Sequence, residues 1–143
     1  MTAAATPLKL EVEVFKVHGP SDFVGAFETI AKSHVNAVAV TEDGEFAASF
    51  KTIAALAAGK KLPSIGSKEF AEAGGLVGYG VNILSLYRRA AYFVDRILKG
   101  SKPADLPIEQ PTRFDFVINL KTAKTLGLTV PPSMLARVDE LIE

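Results

Sequence analysis

Three carboxylates, Glu42, Asp43 and Glu45, sit together just after an almost wholly apolar run at residues 35–40. Paired carboxylates can share acid and base roles or hold magnesium. The same three residues also suit a turn followed by a helix, whose first turn favours negative charge. The turn is the reading adopted, with no catalytic residue and no metal site expected. Gly74, Gly75, Gly78 and Gly80 are dense enough to suggest a phosphate loop, yet their spacing matches neither a Walker sequence nor a dinucleotide fingerprint, so they read as turn and crossover glycines. His18 and His34 stand far apart, each without an evident partner. No serine lies in a nucleophile-elbow context, and the absence of cysteine removes thiolate chemistry. No enzyme chemistry is supported, and no cofactor is implied.

The elements around these residues alternate. Leu8, Leu10, Val12 and Val14 interleave with Lys9, Glu11 and Glu13, the period-two pattern of an edge strand. After His18-Gly19-Pro20, Ser21 is a candidate N-cap for a helix burying Phe23, Ala26, Phe27, Ile30 and Ala31. Residues 35–40 predict a parallel strand covered on both faces. A helix follows with Phe46, Phe50, Ile53, Ala54 and Ala57 inward, stopped near Gly59. A short strand at 62–65 and a helical turn or two at 67–73 come next. Beyond a strand around Tyr79, Asn82 can cap the most regular helix of the chain, with Ile83, Leu86, Tyr87, Ala90, Val94, Ile97 and Leu98 on one stripe. Gly100 suits its left-handed terminus and Pro103 prevents continuation. Pro103, Pro107 and Pro111 mark an extended excursion. A strand over 114–118 follows, then a short helix capped by Asn119 and stopped by Gly127. A final helix is expected from Pro131, with Met134, Leu135, Val138, Leu141 and Ile142 on its docking face.

With 143 residues, 48% of them hydrophobic, and a formal net charge of zero, the chain suits one domain with a real core. It gives no electrostatic reason to expect nucleic acid. No run is long enough for membrane insertion, and MTAAATPLKLEVEV has no signal-peptide pattern, so the product as written is expected in the cytoplasm.

The wording LVGYGVN, then RILKGSKPADLPIEQP, then FDFVINLKTAKTLGLTVPPSMLARVDELIE resembles the C-terminal end of the periplasmic solute-binding proteins of ABC importers, most nearly the branch linked to aromatic amino acids. The similarity reaches back to about Phe15. It implies an α/β fold: a three-layer, doubly wound, mostly parallel sheet forming one lobe of a two-lobed clamshell, with C-terminal helices. A single domain is expected, with a βαβαβ core at 7–80, a crossover helix and proline-rich excursion at 81–112, and a returning strand and helices at 113–143. Family members are periplasmic or lipid-anchored. The implied function is binding of a small organic solute, an amino acid or similar, by Glu42, Asp43, Ser67, Tyr79 and Asn82. Tyr79 would lie at a hinge beside the cleft, or else pack at the crossover. An ABC permease would be a partner only of a full-length form. The resemblance also implies that most of the first lobe, and the opening strand and helix of the second, are missing. Large side chains left in water would cost about 1.5–3 kcal/mol each. A homodimer or domain-swapped dimer burying Ile83, Leu86, Tyr87, Ala90, Val94 and Ile97 is therefore expected. The alternative is a self-associating interaction domain with no retained binding.

Overall fold

The computed structural model describes residues 2–143. Its sheet is built from short strands joined by helices. Five strands lie in chain order: β1 (Val38–Ala39), β2 (Ser64–Gly66), β3 (Val77–Val81), β4 (Phe114–Asn119) and β5 (Glu140–Ile142). β1–β2, β2–β3 and β4–β5 are parallel and β3–β4 is antiparallel. The fold is thus the expected mixed α/β lobe with a mostly parallel sheet flanked by helices.

The core forms where α2 (Phe23–Lys32) and α3 (Gly44–Gly59) face α4 (Lys68–Glu72). Phe23, Phe27 and Ile30 meet Phe50, Ile53, Ala54 and Ala57, with Phe70 fully enclosed. The Phe50 and Phe70 rings meet edge to face at 5.5 Å, an arrangement worth more than its buried area alone. Ala31, expected inside, is exposed. The end of α3 falls at Gly59 as expected, but the left-handed residue beyond it is Lys61, at φ 56°.

Buried polar groups join the second half of the sheet to α4. The Asn119 amide donates to the Ala71 carbonyl at 3.0 Å, and its oxygen accepts the Thr122 N–H at 2.9 Å. It thereby caps α6 (Leu120–Leu126), which Gly127 ends at φ 71°. The Thr122 hydroxyl donates to the Gly74 carbonyl at 2.9 Å. Gly74, at φ 113°, is the turn glycine. Gly78 and Gly80 are not: they lie inside β3, where the start of α4 leaves no room for a side chain at Gly78 and the Glu42 carboxylate lies over Gly80.

Four expectations are corrected. The alternating segment at 8–14 is no strand: α1 (Thr2–Ala5) leads into a 3-10 turn at Thr6–Leu8, and residues 10–18 join no ladder, since a strand needs a neighbour to pair with. Ser21 does not cap α2. Pro20 opens a 3-10 turn at Pro20–Asp22, and the Asp22 carboxylate accepts the His18 N–H instead. β1 is shorter than residues 35–40 and is not covered on both faces, since Ala39 is exposed. The C-terminal helix stops after α7 (Pro132–Leu135), and the chain becomes β5. Asp139 directs that change: its carboxylate accepts the Phe116 N–H and its own N–H donates to the Phe116 carbonyl, both at 2.8 Å. The apolar spacing from Met134 to Ile142 fits a helix, but the open side of β4 offered a ladder.

The helix with the strongest sequence signal is α5 (Ile83–Leu98), capped by the Asn82 side chain on the Ser85 N–H at 2.8 Å. None of its residues is buried. Its stripe faces solvent: Leu86 is 38%, Val94 54% and Tyr87 71% exposed. The helix is held to the proline excursion by Arg89, whose guanidinium takes both Glu109 carboxylate oxygens and lies 4.1 Å from the Tyr92 ring centroid.

Candidate functional site

In parallel α/β sheets the carboxyl ends of the strands open onto loops and helix starts, and ligands collect there. Here those ends carry Thr41–Asp43 after β1, Ser67 after β2 and Asn82 after β3. Gly80 is the point on which they converge. A Cβ placed there would lie 2.6 Å from the Glu42 Oε1 atom and 3.6–3.7 Å from Ser67. The Glu42 carboxylate takes no hydrogen bond or ion pair among the described residues. Gly80 sits opposite Asp115 in the β3–β4 register. The Asn82 amide donates to both Asp115 oxygens at 2.9 Å. A polar wall therefore runs from Glu42 past Ser67 and Gly80 to Asp115.

The remaining sequence-predicted residues lie elsewhere or are engaged. Asp43 is the N-cap of α3, its carboxylate accepting the Glu45 N–H at 2.9 Å. Asn82 spends its oxygen on α5 and its amide on Asp115. Tyr79 follows the strand alternation, so it projects from the face opposite Gly78 and Gly80. On that face it stacks on Phe114, with centroids 5.8 Å apart and planes at 10°, and meets Phe116 edge-on at 6.2 Å. The ring is 56% exposed. The structure thus brings Glu42 and Ser67 together and sets Tyr79 on the other side of the sheet.

Asp115 belongs to this region and was not singled out from sequence as a site residue. The available signal was an acidic residue inside the alternating run Phe114-Asp115-Phe116. Which residue it opposed depended on pairing with β3 across the whole excursion. Lys68, beside the wall, is occupied by Glu140 at 2.5 Å. That bond, chiefly, raises its pKa above the ordinary lysine value of 10.5. Among the described residues no group of histidine, aspartate and glutamate could hold a metal ion, and no helix is long and apolar enough to cross a membrane.

The lobe thus carries a polar wall at its strand ends and an uncovered helix beside it. The chain belongs to the ABC transporter substrate binding protein family, whose model matches residues 1–142. No curated protein matches the sequence. Among solved structures it is similar to the ABC domain in complex with L-Trp from Streptococcus pneumonia, at 30% identity and TM-score 0.89. That match covers 98% of this chain and 48% of the other. A conserved domain protein from Vibrio cholerae superposes at the same TM-score with 23% identity, over 98% and 47% of the two chains. A ligand-free, open substrate-binding protein with adhesive properties from Clostridium difficile does so at TM-score 0.71 and 19% identity, over 99% and 47%. The chain spans about half the length of these relatives.

Proposed function

We propose that the chain is the solute-binding lobe of an ABC importer: a binding module without catalysis that presents a small amino-acid-like solute to a permease. The observation that carries this reading is the convergence of Glu42 and Ser67 on Gly80, with no partner for the Glu42 carboxylate among the described residues. A free carboxylate beside a hydroxyl, next to the Asn82–Asp115 pair, suits a solute bearing an ammonium group. The L-Trp held by the pneumococcal relative supports that chemistry. Asp43 supports the wall by capping α3. Tyr79 stands behind the sheet and serves Phe114 packing. Pockets of this type enclose their ligand from two sides, so one lobe alone binds weakly.

Calorimetric titration of L-tryptophan and a panel of other amino acids tests the reading. Glu42→Gln is expected to weaken binding by about tenfold, one lost charge-assisted contact. Equal heats for both proteins, or no heat for any amine, would refute it. A second reading, self-association without solute binding, is favoured by α5, where Ile83, Leu86, Tyr87, Val94 and Ile97 are all exposed. In that reading these residues and Ala90 form the contact between two copies, and Leu86→Asp abolishes it.

A further inference from the structure

Residues 11–17 run without turn or bend, yet they make no backbone hydrogen bond among the described residues. Their C-terminal part is anchored, because Phe15 and Val17 pack on the core. The part before it is not: Leu10, Val12 and Val14 are 59%, 39% and 70% exposed. A groove of about 390 Å³ lies between residues 14–17 and Gly25, Ala26 and Thr29 of α2.

β1 is unpaired along one side in the same way. Its Val38 and Val40 N–H groups donate to the Pro63 and Ile65 carbonyls at 2.9 and 2.8 Å. Alternation then turns the polar groups of Ala37 and Ala39 away from β2, and β1 is the end of the sheet. An open edge of this kind is a template for a strand from another chain.

We infer that a second copy of this chain supplies that strand: Leu10–Val14 of each molecule adds to the free edge of β1 in the other. The required strand must be unpaired in its own molecule, apolar on one face and charged on the other. Glu11-Val12-Glu13-Val14 meets each condition, and Leu10 meets all but the first, its N–H being bonded to the Ala5 carbonyl at 3.1 Å. Seated parallel to β1, Leu10, Val12 and Val14 continue the face on which Val38 and Val40 meet the core, the Val12 N–H turns to β1, and Glu11 and Glu13 face water. The formal net charge of zero sets no repulsion between copies. Exchange between the same two molecules about a two-fold axis closes as a dimer, whereas donation to a third molecule would run on into a fibre. The inference is independent of solute binding.

Light scattering coupled to gel filtration tests it. The unaltered chain is expected to be a dimer. Val12→Pro removes an N–H that bonds to nothing among the described residues of one molecule, so circular dichroism should be unchanged while the dissociation constant rises by about tenfold or more. A synthetic peptide of residues 9–16, in excess, should compete the unaltered dimer apart, which decides the matter even if the proline variant fails to fold. A monomeric wild-type chain overturns the inference. So does a dimer indifferent to both the proline and the peptide, or one that only Leu86→Asp on α5 dissociates.

Discussion

Gly78 and Gly80 occupy the same strand, two residues apart and on the same face, so they differ only in what approaches them. A Cβ on Gly78 would lie 2.8 Å from the Ser67 carbonyl oxygen, 2.9 Å from the Lys68 Cα and 3.0 Å from the Ala71 Cβ. Two of those atoms are backbone at the start of α4 and cannot swing aside. On Gly80 the one contact below 3.0 Å is the Glu42 carboxylate, the far end of an exposed side chain that can rotate. Replacing glycine by alanine in a strand gains about 0.5–1 kcal/mol from reduced chain entropy at either position. Forcing a methyl into a filled site costs about 1–3 kcal/mol. Gly78→Ala should therefore lose about 1–2 kcal/mol net, while Gly80→Ala should be neutral or slightly stabilising. For a chain of this length that separates the two melting temperatures by about 3–8 °C. Urea denaturation monitored by circular dichroism, with m-values checked for constancy, measures the difference. Gly80→Ala should also displace Glu42 and weaken amino-acid binding without harming the fold. Equal stabilities would refute the reasoning, because the approach of α4 to β3 would then be looser than the geometry states.

Other consequences can be measured as readily. Asn119→Ala removes both the cap of α6 and the bond to the buried Ala71 carbonyl, and should cost about 2–3 kcal/mol in denaturant titration. The Arg89 guanidinium holds the Glu109 carboxyl below its ordinary 4.5, mainly by hydrogen bonding. The folded value is the lower one, so the tie between α5 and the excursion is present above pH 4.5 and lost as pH falls through the depressed value. Carbon-detected titration of the Glu109 carboxyl should show that midpoint below 4.5, and Arg89→Gln should restore it. On α5, Val94→Asp with Ile97→Asp should change stability by under about 0.5 kcal/mol in the monomer, since both residues face water. A large loss would mean the stripe is covered within one copy.

What could be read ahead of the structure follows the range of the interactions. Caps and stops are local, and Asn82, Asn119, Gly100 and Gly127 act where the residue types place them. Periodicity revealed the inner faces of α2 and α3 and the apolar stripe of α5, because helical spacing needs no partner to be visible. Pairing is not local. Residues 8–14 carry a strand pattern but have no neighbour, whereas residues 140–142 carry a helical one and join β4. The site failed in the same way. Glu42 and Ser67 could be placed at strand ends from the order of elements, but the face from which Tyr79 projects and the partner of Asp115 depend on register across the sheet.

The antiparallel pairing of β3 with β4 has a consequence for the chain's modularity. Val81 stands directly opposite Phe114, and the Asn82 N–H donates to the Arg113 carbonyl at 3.0 Å, so everything between them leaves and re-enters the lobe through one narrow neck. α5 and its prolines are in effect an insertion into a hairpin. Splicing Val81 to Phe114 through a four-residue turn would shorten that closure roughly eightfold and lower its entropic cost by about 2 kcal/mol. The result would be a minimal lobe that keeps Glu42, Ser67 and Gly80 in place while discarding α5 and its prolines.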